Sequence, residues 1–189
     1  MGPMLKRMST ALALIALIIC AYVFVGALFQ GADCRRCNVI IISIDSLRAD
    51  HMSLYGYERI TTPNLDDWSD GAYVFENYFS STHLTPVSAG GLHTGLVPGN
   101  SGLVNFQSYL HDGVHTMAEQ FADEGYETAA IGNSPEFPQY PVLQNNFSRG
   151  FSTFKISTSS TDRAHVPWSA AQEWIQGTQK PFLLWIPIG

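Results

Sequence analysis

The chain has 189 residues, 46% of them hydrophobic and 14% charged, with a formal net charge of −6. That length allows one domain plus a tail, and the apolar content suits a packed core. The acidic balance and the lack of a basic patch exclude a nucleic-acid-binding protein.

Lys6 and Arg7 precede Ala11 to Phe29, ALALIALIICAYVFVGALF, an uncharged apolar run of nineteen residues. At 1.5 Å per residue such a helix spans roughly 28 Å, about the thickness of a bilayer hydrocarbon core. We read residues 1–10 as a cytoplasmic N-terminus, 11–29 as a transmembrane signal anchor and 30–37 as a juxtamembrane linker. The basic pair holds the N-terminus inside, so that residues 38–189 are exported to the periplasmic or extracellular side of the cell membrane. A signal peptide cleaved after Ala27 is the alternative. Cys34 and Cys37 form C-R-R-C in the linker; with no second pair, a disulfide bond suits them at least as well as zinc.

From Asn38 to Ile44 the sequence reads as a fully buried strand that stops at Asp45. Thr62-Pro63 and the residues to Gly71 form a short helix with an N-cap and Pro in its first turn. Tyr73 to Phe79 alternates like a strand. Pro86 to His93 starts a helix, and Gly113 to Glu124 is an amphipathic one. Tyr126 to Ile131 is a strand, Asn133 to Ser160 a looser region rich in Pro, Asn and Ser, Pro167 to Ile175 a helix and Phe182 to Ile188 an apolar strand. Strands alternating with helices imply an α/β fold: a mostly parallel sheet sandwiched by helices. Trp68, Tyr73, Phe75 and Phe79 are expected to pack in the core.

A carboxylate at the end of a parallel strand is a common position for holding metals or anionic ligands, although a lone Asp also caps turns. Thr85, just before a Pro and a run of small residues, opens a helix whose N-terminus suits an anionic ester. An ordinary N-cap is the bland reading of the same residue. Arg48 and Asp50 are expected to hold their turn through an ion pair, and His51 is read as a turn residue. His93 is expected to pack.

Three segments in order, IISIDSLRADHMSLYGY, TTPNLDDWSDGAYVFENYFS and TPVSAGGLHTGLVP, resemble the sulfatase family of the alkaline phosphatase superfamily; EGYETAAIGN is a weaker fourth. The resemblance implies that Asp45 is a metal ligand, with Ser46 where many members carry a second Asp. Counting back from Thr94-Gly95, it places Thr85 at the catalytic nucleophile; counting from Pro86 instead falls on Leu84, which has no reactive group. Typical sulfatases oxidise a Cys or Ser there to formylglycine, an aldehyde that threonine cannot give. Ala89 replaces the motif's arginine, and Asn133 and Pro135 replace a Lys and a His.

A threonine nucleophile is similar instead to the superfamily's phosphodiesterases and its membrane-anchored phosphoglycerol and phosphoethanolamine transferases. The implied activity is that of a membrane-anchored, metal-dependent hydrolase or transferase acting on phosphate or sulfate esters. Asn133, at a strand end, is a candidate for binding the substrate. Zinc or manganese suits a Thr-type site and calcium a sulfatase-type one. The alternative is a noncatalytic or truncated sulfatase-like fragment without the later Asp and His ligands, with Pro187 where relatives often carry a His.

Overall fold

The computed structural model describes residues 36–134, 145–157 and 165–189. The apolar run at 11–29 and the pair partner Cys34 lie outside these residues. Among the described residues no helix is long and apolar enough to cross a membrane. Cys37 is disulfide-bonded.

Four strands form one parallel sheet: β1 (Val39–Ile44), β2 (Glu127–Asn133), β3 (Thr153–Ser157) and β4 (Phe182–Ile188). Their order is β1-β4-β2-β3, and every pairing is parallel. The helices are α1 (Pro63–Ser69), α2 (Thr85–Thr94), α3 (Pro98–Ser101), α4 (Met117–Asp123) and α5 (His165–Gly177). Two short 3₁₀ turns, Ala49–His51 and Ser53–Tyr55, follow β1. The mostly parallel α/β architecture expected from the alternation is the one observed.

The two central strands explain why a sheet forms here. Because side chains alternate across a strand, Ala130 and Trp185 point to one side and join Leu103, Leu110, Val114 and Phe147. Ala129, Ile131, Leu184 and Ile186 point to the other and meet Ala171, Trp174 and Ile175 of α5. Two separate cores on the two faces require continuous apolar strands, which is how ETAAIGN and FLLWIPI read.

Gly132 marks the closest contact inside the sheet. A Cβ placed there would lie 2.3 Å from the Pro187 carbonyl oxygen and 2.4 Å from its Cδ. Pro187 has no N–H for the ladder. The paired register accordingly breaks between Ala130↔Trp185 and Asn133↔Ile188.

Three expectations need correction. β1 is not fully buried: it pairs only with β4 among the described strands, and Ile40, Ile42 and Ile44 are about half exposed. Tyr73 to Phe79 is not a strand: alternation supplies the propensity, but the segment pairs with neither edge strand of the sheet, β1 nor β3. Its rings are therefore exposed rather than core, Tyr73 at 96%, Phe75 at 71% and Phe79 at 83%, as is Trp68 at 74%. The region read as loose contains β3, whose five residues, TFKIS, are too short to announce a strand.

Helix α4 starts four residues later than its amphipathic pattern, behind a capping box at Thr116. Thr116 Oγ1 accepts from the Glu119 N–H, and the Glu119 carboxylate accepts from the Thr116 N–H at 2.8 Å. Thr-x-x-Glu is a start signal legible in the sequence.

Candidate active site

The C-terminal ends of β1, β4 and β2 line up because their register is parallel. Asp45 directly follows β1, and its N–H donates to the Ile188 carbonyl at 2.8 Å, so the end of β4 anchors it. Ser46 then takes a left-handed backbone, φ 58°, the sole non-glycine positive φ among the described residues. This kink turns the chain away from the sheet directly after the carboxylate. Ser46 Oγ donates to Asp45 Oδ1 at 3.4 Å.

Helix α2 brings in the hydroxyl. Leu84 is its N-cap, with extended backbone, and Pro86 stands in its first turn, where a missing N–H costs nothing. Gly95, φ 68°, closes the helix by donating to the Gly91 carbonyl. Thr94 Oγ1 bonds the Gly90 carbonyl at 2.7 Å, and Ser80 Oγ meets Ser88 Oγ at 2.6 Å, tying the preceding loop to the helix. Thr85 Oγ1 donates to Asp45 Oδ1 at 3.5 Å, a long hydrogen bond between residues forty apart in sequence. First-turn N–H groups of a helix have no intrahelical acceptor, and the dipole places positive potential beside that hydroxyl.

Asp45, Ser46, Arg48, Thr85, Ser88 and Ser134 line an open cleft of about 1010 Å³, together with Glu76, Ser80, Ser81, Thr82, His83 and several apolar residues. The structure thus brings Asp45 and Thr85 together but treats Asn133 differently. Asn133 stands at the same sheet edge, yet its side chain is 1% exposed and it is not part of the cleft lining. β2 is flanked on both sides, by β4 and β3, which encloses the residues along it. Ser134, one residue further, faces the cleft instead; no residue-type signal separates the two in sequence.

Arg48 donates to both carboxylate oxygens of Asp50, at 2.8 and 2.5 Å, as an exposed pair. The hydrogen bond to Asp50 raises the Arg48 pKa, and the hydrogen bond from Arg48 lowers that of Asp50. His51 stacks near Tyr57 at 5.0 Å. His93 is buried among rings, as a packing residue.

A divalent cation at this place would find one carboxylate, Asp45, and the hydroxyls of Thr85 and Ser46. Zinc takes four ligands, and calcium six to eight oxygens. No group of three or more His, Cys, Asp or Glu able to hold a metal exists among the described residues. These residues by themselves do not fit a closed metal shell.

The sequence model of the family described as Sulfatase matches residues 37–189. An arylsulfatase of Clostridium perfringens is 32% identical over 107 residues, covering 54% of this chain and 21% of that protein. The chain spans about a fifth of the length of the curated relatives it matches. Among solved structures, the phosphonate monoester hydrolase of Agrobacterium radiobacter superposes with a TM-score of 0.68 at 18% identity, over 81% of this chain and 40% of that one. The C-terminal periplasmic domain of EcEptC from Escherichia coli, in complex with zinc, gives 0.57 at 20% identity, over 80% and 43%. At these identities the structural likenesses carry the fold alone. The family match covers the whole sheet, from the linker before β1 through β4: this chain belongs to the sulfatase family.

Proposed function

We propose that this chain supplies the attacking hydroxyl and one carboxylate of a sulfatase-family ester hydrolase or transferase. The contact of Thr85 Oγ1 with Asp45 Oδ1, at the mouth of an open cleft, carries that reading. Thr85 oxygen attacks phosphorus or sulfur, and its proton passes to the Asp45 carboxylate that already accepts its hydrogen bond. The ester oxygen leaves as the alcohol, taking that proton back from Asp45; water or an acceptor hydroxyl then gives its proton to Asp45 and attacks the group held on Thr85, and the Thr85 oxygen leaves and regains a proton from Asp45.

Phosphate esters suit the site better than sulfate esters. Ala89 offers no positive charge where the sulfatase motif has arginine, and threonine cannot become the aldehyde of typical sulfatases. Asn133, enclosed in the sheet, we assign to holding the edge rather than to touching the ester.

Zinc, manganese or calcium dependence remains part of the proposal, with Asp45 as one ligand and the others drawn from outside the described residues. Membrane anchoring through residues 11–29 and export of residues 38–189 rest on the apolar run behind Lys6 and Arg7. The disulfide at Cys37 supports an oxidising compartment. A noncatalytic role is the second reading, favoured by the single carboxylate of the site.

The test is turnover of 4-nitrophenyl phosphate, phosphonate and sulfate esters by the full chain with each cation. Phosphate or phosphonate turnover lost in Thr85→Ala supports the proposal; turnover unchanged in that variant refutes it.

A further inference from the structure

His93 occupies the penultimate position of α2, at the opposite end of the helix from Thr85. His93 is 2% exposed, and neither Nδ1 nor Nε2 has a hydrogen-bond partner among the described residues. Three aromatic rings surround it: Trp185 of β4 with centroids 4.3 Å apart, Phe147 at 5.6 Å and Phe151 at 5.9 Å. Helix α2 is seated on β4 through this ring and on the core residue Leu103 through Gly90, where a Cβ would lie 2.6 Å from Leu103 Cδ1.

We infer that His93 is an acid-sensitive latch: when its imidazole takes up a proton, α2 leaves its seat on the sheet and carries Thr85 away from Asp45. A protonated imidazole has two N–H donors and no acceptor. Aromatic faces attract a cation, yet they replace neither hydrogen bond that those donors make in water. Among the described residues no charged group is placed to neutralise the charge. Neither α2 nor β4 has another ionisable side chain. Residues 145–151 contribute only Arg149, which is engaged with Glu119 and the Val114 carbonyl. Behind Gly90, His111 lies against Gly102, while Tyr109 and Asp112 are exposed. On β3 and α4, Lys155 is exposed and Asp123 pairs with His115.

Burial alone pushes the His93 pKa from 6.5 down to about 4. A histidine held neutral in the fold destabilises it as pH falls, because the unfolded chain binds the proton first. Stability is full above 6.5, falls between 6.5 and about 4, and levels off below. The gap corresponds to roughly 300-fold in the folding equilibrium.

The latch rests on packing and not on the ester chemistry, so it stands or fails independently of the nucleophile. The decisive measurement is an NMR titration of the His93 ring in the full chain, with hydrogen exchange followed at α2 and β4. A ring that stays neutral to below pH 5, with α2 losing protection before β4, is the expected result. His93→Leu should remove the loss of urea midpoint between pH 6.5 and 4, whereas Glu119→Gln should keep it. A ring titrating near 6.5, or α2 and β4 losing protection together, would overturn the inference even if the leucine variant does not fold.

Discussion

Thr85 Oγ1 stands 3.5 Å from Asp45 Oδ1, the one from the first turn of α2 and the other from the end of β1. The hydroxyl and the carboxylate are brought together by two elements that share no direct ladder bond. Their separation is therefore set by how α2 is seated, through His93 on Trp185 of β4 and through Gly90 on Leu103, and not by local chain geometry.

Thr85→Ala should lower any phosphate-ester turnover by roughly 10³-fold or more, since loss of a nucleophile removes a whole step. Thr85→Ser keeps the oxygen and should retain most of it. Neither change should shift the thermal midpoint appreciably, because Thr85 is exposed in its contact with Asp45. Steady-state kinetics beside a melting curve checks both halves, and equal activity in the alanine and serine variants would count against the assignment.

Metal affinity offers a sharper discrimination. With Asp45 the single carboxylate proposed as a ligand, the described residues should by themselves hold zinc, manganese or calcium weakly, with no saturable site in the micromolar range. A chelator should leave the chain's melting temperature unchanged. Calorimetric titration showing one tight, stoichiometric site that Asp45→Asn abolishes would reverse this expectation.

Gly132→Ala should destabilise the sheet by about 1–3 kcal/mol, the usual range for overpacking. The obstruction is backbone and ring, the Pro187 carbonyl and its Cδ, so no flexible side chain can move aside. Urea denaturation gives the number, and an unchanged midpoint would mean that β2 and β4 lie further apart than described.

Ser46→Gly should stabilise the chain by about 1 kcal/mol, because glycine adopts the left-handed conformation without the Cβ clash. Ser46→Val should do the opposite. The pair of variants isolates backbone strain from the weak Ser46–Asp45 hydrogen bond, which both remove. Equal midpoints for the glycine and valine variants would show that the kink carries no strain.

Thr116→Ala should cost about 1 kcal/mol through loss of the α4 cap. The same corner adds an acid limb to stability. Burial raises the Glu119 pKa, but hydrogen bonds from the Thr116 N–H and Arg149 outweigh it and leave it below 4.5. A carboxylate depressed in the fold stabilises above its unfolded value, and that contribution is lost as pH falls through the folded one. The Glu119 limb should thus appear below pH 4.5, separate from the higher window of His93. A stability profile of Glu119→Gln that keeps the lower limb would reject this account.

The parallel sheet, and the meeting of Asp45 with Thr85 at one place, were legible in the chain because each leaves a local mark. An apolar strand broken by a carboxylate, a hydroxyl before Pro and a small-residue helix, and continuous apolar strands are all short-range patterns. The amphipathic run from Gly113 gave α4 but not its start, which the Thr116-x-x-Glu119 capping box sets. The exposure of Tyr73, Phe75 and Phe79 was not, because alternation reports a preference for pairing and cannot report whether an edge is within reach. Asn133 and Ser134 are neighbours of similar polarity, and only the flanking of β2 by β4 and β3 decides which is enclosed. Sequence alone determined that a carboxylate ends β1 and that a hydroxyl opens α2; the packing of α2, through His93 against Trp185 of β4, decided that the two meet, since a contact across forty residues depends on where whole elements come to rest.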